Sequence, residues 1–119
     1  MATNIPDNIS DRESAEWLFL QSLCAATLPS TLRQQYCDQA RIRIFADMAN
    51  RIIFEELCAM TAPGRIRSPL EVREDLPARA TRRGFPDLDF ASLLSDDALT
   101  EQAAAQRVAL AWQNLLKLS

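Results

Sequence analysis

Residues 32–60, LRQQYCDQARIRIFADMANRIIFEELCAM, decide the fold, because apolar side chains recur along them at helical spacing. On a helical wheel these side chains spread over roughly 220° of the circumference, at about 100° per residue. A helix packed on one side of a small domain needs an apolar arc of only about 100–140°. The excess predicts a second surface, covered by a partner or by a second copy of the chain. The residues concerned are Ile42, Ile44, Phe45, Met48, Ala49, Ile52, Ile53 and Leu57.

The pattern around this stretch predicts an all-α fold with three main helices. One helix is expected at about residues 11–26, where four large apolar residues in a row, 17–20, point all round the axis. The second is expected to run unbroken over residues 31–61, and the third over residues 96–118. Residues 10–119 are therefore predicted to form a single helical domain, preceded by a flexible arm at residues 1–9.

A proline- and arginine-rich connector joins the second and third predicted helices. Ser68-Pro69-Leu70-Glu71 is a capping box with proline at the first helical position, which predicts the start of a short helix. Pro77 is expected to stop that helix, because a proline inside a helix removes one hydrogen bond. Gly84 is expected to end the turn that follows. The connector is thus predicted to consist of short helical turns.

The composition argues against an enzyme or a metal protein. The chain has 119 residues and a net charge of −3, and it contains no histidine, the most common general base and metal ligand. With two glycines it has no glycine-rich phosphate loop, and no zinc-ligand spacing occurs. We therefore expect no catalytic residues, no cofactor and no bound metal.

The cysteines and the N-terminus indicate a cytoplasmic protein. Cys24, Cys37 and Cys58 are dispersed and odd in number, which is typical of buried thiols in a reducing compartment. A bridge between Cys24 and Cys37 is not expected, because their helices would have to meet closely. Residues 1–12 are polar and acidic, without the features of a secretory signal, and no apolar run is long enough to span a bilayer.

Six arginines lie in residues 65–83 and raise the question of nucleic-acid binding. Arg65, Arg67, Arg82 and Arg83 could contact phosphates. Against this, the isoelectric point is about 4.9, and no aromatic residue lies among these arginines to stack on bases. Salt bridges to the chain's own acids, or to carboxylates of a protein partner, fit the arginines better.

Phe54 and Cys58 lie four residues apart on the otherwise polar side of the predicted second helix. Either the connector folds over them, or they form an exposed apolar spot ringed by charge, as binding hot spots often do. The second interpretation predicts a partner-binding surface around Tyr36, Phe54, Cys58, Arg65 and Arg67. The main apolar stripe then predicts a homodimer interface at Ile44, Phe45, Met48 and Ile52.

The helices around residues 17–20 and 42–60, the short length and the acidic last helix resemble a class of small bacterial regulators. These are the anti-activators that hold LuxR-type quorum-sensing transcription regulators inactive. The resemblance implies a homodimer that binds the regulator and prevents its dimerisation and its binding to DNA. Two other functions stay open, a helical adaptor, chaperone or phage-type inhibitor, and a helical protein that binds nucleic acid.

Overall fold

The computed structural model describes residues 7–40, 44–60, 69–94 and 99–118, and these ranges contain helices and no strand. The prediction of an all-α fold is therefore confirmed for this part of the chain. None of its helices has the length and apolar character needed to cross a membrane. The six helices are α1 (Asp7–Leu23), α2 (Ser30–Gln39), α3 (Met48–Met60), α4 (Pro69–Arg82), α5 (Phe90–Leu93) and α6 (Glu101–Leu118).

The long helices α1 and α6 form the main helix pair, and they run antiparallel. Gln21, near the end of α1, accepts a hydrogen bond of 2.9 Å from Arg107, in the first half of α6. Ala15, nearer the start of α1, lies beside Leu118 at the end of α6. The side of α6 that faces the core is lined by small and branched residues at helical spacing, namely Ala104, Val108, Ala111 and Leu115.

The predicted continuous helix over residues 31–61 is corrected to two helices, α2 and α3, with a non-helical link between them. Ala40 ends α2 in an extended conformation, with φ −75° and ψ 137°. The carboxylate of Asp47 caps α3 by accepting the backbone N–H of Asn50 at 3.0 Å. Of the link, residues 41–43 lie outside the described residues, and 44–47 are described.

Aromatic packing explains why the helix breaks. Phe45 and Phe54 have ring centroids 4.7 Å apart, and both rings are buried. In one straight helix, nine residues would separate them by about 13.5 Å along the axis. The break therefore allows Phe45 of the apolar stripe to pack on Phe54, which lies outside that stripe. Much of the apolar arc that predicted an external partner is covered by the chain itself.

The connector contains a longer helix than predicted, since α4 spans fourteen residues and includes Pro77. Its buried residues Val72, Leu76 and Ala80 follow at four-residue spacing and continue the buried stripe past the proline. Burial of this stripe offsets the hydrogen bond that Pro77 removes. Gly84, at φ 96°, was predicted to end a separate turn and instead follows the end of α4, where Phe85 N–H reaches back to the carbonyl of Ala80 at 3.0 Å.

Two predicted helix starts also move. The first helix begins at Asp7, so residues 7–9 of the predicted flexible arm belong to α1, and residues 1–6 lie outside the described residues. The last helix begins at Glu101 rather than at residue 96, because the hydroxyl of Thr100 accepts the backbone N–H of Ala103 at 3.0 Å and caps it.

Candidate protein-binding surface

The structure places the predicted partner-binding residues mainly inside the fold. Phe54 is 1 % exposed, so the prediction that it forms an exposed hot spot is wrong for this structure. Tyr36 is half-buried and packs edge-on against Phe19, at a centroid distance of 5.9 Å. Cys58 is also half-buried. Arg65 and Arg67, the other two members of the predicted surface, lie outside the described residues.

The residues predicted for the dimer interface also lie mainly inside the fold. Phe45 is fully buried and Ile52 is 8 % exposed, so neither presents its side chain to a second copy in this structure. Ile44 is half-buried and packs against the core. Met48 is 57 % exposed at the start of α3 and remains available. Of the four residues predicted for the dimer interface, only Met48 is largely exposed in the structure.

Aromatic rings at the core form one connected cluster that accounts for these positions. Phe19 of α1 lies at its centre and contacts Phe45 at 6.3 Å and Trp112 of α6 at 5.2 Å, measured between centroids. Tyr36 contacts Trp112 at 6.1 Å, and Phe54 extends the cluster through Phe45. Residues from four helices and the link therefore share one core, which the separate helical patterns could not show.

Arginines of the predicted connector are occupied by internal contacts. Arg79 binds Glu56 of α3 at 3.0 Å, and Arg83 binds Glu56 at 2.7 Å and Glu55 at 2.6 Å. Arg73 donates to the carbonyl oxygens of Cys24, at 2.9 Å, and Leu94. Three of the six arginines of residues 65–83 thus hold the fold together.

The charges of the ion-pair cluster act on each other. Burial alone would raise the pKa of Glu56, but hydrogen bonds and positive charge from Arg79 and Arg83 outweigh it and hold that pKa below its ordinary value. The hydrogen bonds that Arg83 donates to Glu55 and Glu56 raise the pKa of Arg83. The guanidinium groups of Arg79 and Arg83 are thus paired with carboxylates of α3 and are less available to a phosphate.

An exposed apolar surface lies along α1 and α6. Leu110 is 67 % exposed and Leu18 is 40 % exposed, although both belong to long packed helices. Leu18 borders three adjoining grooves, so the grooves form one continuous surface. We call it the Leu18 surface and define it by Ser14, Trp17, Leu18, Leu88, Ala103, Leu110 and Asn114.

Polar groups lie at the borders of the Leu18 surface. The groove between α1 and the start of α3 has a volume of about 550 Å³ and is bordered by Glu13 and Asp47. The groove between α1 and α6 has a volume of about 480 Å³ and is bordered by Arg107. An apolar centre with a polar rim is the usual anatomy of a protein–protein interface. The arrangement can bind apolar side chains of a partner.

A signal for this surface was present in the sequence. The run of residues 17–20 is apolar all round the helix, and a helix at the surface of a small domain leaves one side exposed. Phe19 and Leu20 are fully buried, whereas Leu18 is left exposed. The sequence alone does not show which of the four residues stays exposed, so no surface was predicted here.

Comparison with known proteins identifies no relative of the chain. No family model matches it, and neither the curated proteins nor the solved structures contain a match. Within the described ranges, no group of three or more cysteine, aspartate or glutamate side chains is placed to hold a metal ion. The functional proposal therefore depends on the geometry of the surface.

Proposed function

We propose that this chain is a non-enzymatic regulator that binds another protein through the Leu18 surface. The observation that carries the proposal is the exposure of Leu18 and Leu110 beside each other on α1 and α6. Exposed leucines within a connected apolar groove are typical of binding sites, because water contact with such a patch is unfavourable in an isolated chain. The polar rim at Glu13 and Arg107 would fix the orientation of the partner.

The partner that we propose is a LuxR-type quorum-sensing transcription regulator. The chain would act as an anti-activator, occupying a surface that the regulator needs for dimerisation and thereby preventing its binding to DNA. Binding energy alone accounts for such an activity, so no catalytic group is required. The internal ion pairs of Arg79 and Arg83 support a protein partner over nucleic acid, because paired guanidinium groups are less available to phosphates.

The proposal includes a homodimer that involves the exposed side chain of Met48. Light scattering at micromolar protein concentration would then give the mass of two chains, and Met48→Lys would shift it toward one. A wild-type chain that gives the monomer mass throughout would contradict this part of the proposal and leave the Leu18 surface unaffected.

A binding assay with a matched pair of leucines tests the proposed surface. Leu110 and Leu70 have similar exposure, 67 % and 63 %, but Leu70 lies on α4 and outside the Leu18 surface. We expect Leu110→Arg to weaken binding to a purified LuxR-type regulator by about 30-fold or more, as loss of a hot spot would. Leu70→Arg should bind like the wild type, and both variants should melt like the wild type because neither position is in the core.

Two results would test the proposed surface and the proposed partner independently. Equal binding by both arginine variants would show that the partner uses another surface. Failure of the wild-type chain to bind LuxR-type regulators, or to reduce their binding to DNA, would refute the proposed partner.

A further inference from the structure

The three cysteines, dispersed in the sequence, meet in one region of the fold. Cys24 directly follows α1, Cys37 lies on α2, and Cys58 lies on α3. The thiol of Cys58 is 4.0 Å from the carbonyl oxygen of Cys37, and the side chains of these two residues are hydrogen-bonded to each other. Cys37 and Cys58 are half-buried, whereas Cys24 is fully buried, which corrects the expectation of three buried thiols.

A buried arginine stands beside these thiols. Arg33 precedes Cys37 by one helical turn on α2 and is 0 % exposed. Its Nε atom donates to the carbonyl oxygen of Leu23 at 2.8 Å, but its two terminal nitrogens have no hydrogen-bond partner. A buried guanidinium that is left unpaired is unfavourable, and a nearby negative charge would compensate for it. Cys24 and Cys37 are the groups that act electrostatically on Arg33.

The surroundings assign different roles to the three thiols. Burial raises the pKa of Cys24 to about 12, despite Arg33 and Arg73, so Cys24 stays protonated near neutral pH. The hydrogen bond to Cys37 raises the pKa of Cys58, and burial and the charges of Asp38 and Glu55 act in the same direction. Cys58 therefore keeps its proton while Cys37 is reduced. Cys37 has a guanidinium one turn away and some access to solvent, which are the conditions that favour a reactive thiolate.

We propose that Cys37 and Cys58 are a redox-active pair, which a hydroperoxide converts into a reversible disulfide joining α2 to α3. The Cys37 thiolate attacks the outer peroxide oxygen, the O–O bond breaks, and an alcohol or water leaves once its oxygen takes up a proton. Cys37 becomes a sulfenic acid. The sulfur of Cys58 then attacks this sulfenic sulfur, and the S–O bond breaks as the S–S bond forms. The hydroxide leaves as water with the proton of Cys58.

The disulfide would connect the two helices that flank the link over residues 40–47. Since it closes a loop of 21 positions along the chain, it should restrict the unfolded chain and stabilise the folded one. It would also fix the position of α3 relative to α2. The pair is thus placed to make the rigidity of this part of the fold depend on oxidant, independently of what binds to the Leu18 surface.

Peptide mapping of the full chain tests the pair directly. The reduced protein is treated with hydrogen peroxide, its remaining thiols are alkylated, and its digest is analysed by mass spectrometry without reductant. We expect a cross-link between Cys37 and Cys58 within one chain, its loss on treatment with dithiothreitol, and a higher melting temperature for the oxidised form. Cys24→Ala should form the same cross-link, and Cys37→Ser and Cys58→Ser should form no disulfide within the chain.

The role of Arg33 has a separate readout. We expect Arg33→Met to slow alkylation of Cys37 by iodoacetamide at neutral pH severalfold and Arg33→Lys to preserve the rate, since the positive charge favours the thiolate. A cross-link from Cys24, bridges between chains only, or oxidation of Cys37 to sulfinic acid with Cys58 unchanged would overturn the proposal. Peptide mapping of the wild type and Cys24→Ala decides the matter even if the Arg33 variants fail to fold.

Discussion

The link at residues 44–47 and the contact between α3 and α4 are both held by carboxylates and arginines, but in different surroundings. Glu16 is 0 % exposed, and its carboxylate accepts the backbone N–H groups of Ala46 at 2.7 Å and Asp47 at 3.3 Å. Glu56 and Arg83 instead form an ion pair at the surface, where the Arg83 side chain is 39 % exposed. Water can replace the ion-pair partners of Glu56 and Arg83. It cannot replace the backbone groups that bind the buried Glu16.

The difference between the buried and the surface groups indicates which charges define the fold. The non-helical link exposes backbone groups that a continuous helix would have paired internally. Glu16 supplies the acceptor for two N–H groups and for the Asn50 amide at 3.0 Å, while Arg12 donates to the carbonyl of Ile44 at 2.8 Å. The surface cluster adds contacts to a helix pair that is already packed by apolar residues. We therefore expect the buried network around Glu16 to specify the break between α2 and α3. The surface cluster should adjust only the stability of the folded chain.

The largest expected effect is that of Glu16→Gln. The substitution keeps the size of the side chain but removes the charge and replaces one acceptor oxygen with an N–H₂ group that faces N–H donors. We expect the free energy of unfolding to fall by about 2–4 kcal/mol, the usual cost of leaving buried hydrogen-bonding groups unpaired. Urea denaturation measures this loss.

Glu13→Gln is the matched control for this prediction. Glu13 is exposed on the same helix, and its replacement should change the free energy of unfolding by less than about 0.5 kcal/mol. Equal effects of the two substitutions would mean that Glu16 does not hold the link, and the comparison between the two networks would fail.

A smaller effect is expected for Glu56→Gln in the surface cluster. Exposed ion pairs contribute about 0–1 kcal/mol each, so the free energy of unfolding should fall by about 0.5–1 kcal/mol. Added salt should reduce the difference between this variant and the wild type, because salt screens charges that face water. The loss caused by Glu16→Gln should persist in salt, and denaturation at low and high ionic strength measures both.

The fold could be predicted from local patterns where one helix face decides the outcome. Helical spacing predicted the helical class, and Gly84 predicted that a helical segment ends there because a residue tolerant of positive φ suits that position. The prediction failed at the link, although Asp47 directly before α3 is a common capping residue. The break also depends on Glu16, whose carboxylate binds the link. Glu16 lies 30 residues away from Ala46 in the chain, so a local pattern does not contain it.

The candidate site could be predicted less well than the fold. The apolar arc of residues 32–60 was assigned to an external partner because the stripe was placed on one straight helix. Once the chain breaks, Phe45, Ile53 and Leu57 of that arc are buried in the chain's own core. Leu110 could not be distinguished from the buried Val108 and Ala111 by residue type, because its exposure depends on how α6 packs on α1. The exposed leucines thus follow from tertiary packing.

The smallest expected effect is a change in stability at acidic pH. The pKa of Glu56 in the folded chain is below the ordinary value of 4.5, so the stability it contributes is fully present above that value. The contribution is lost as the pH falls through the lower, folded pKa, since protonation then removes the ion pairs with Arg79 and Arg83. Between about pH 6 and about pH 3, the wild type should lose slightly more stability than Glu56→Gln, which has no carboxylate to protonate. Melting curves across this range measure the difference. Parallel curves for the two proteins would show that the surface cluster contributes nothing, and that packing alone holds α4 on α3.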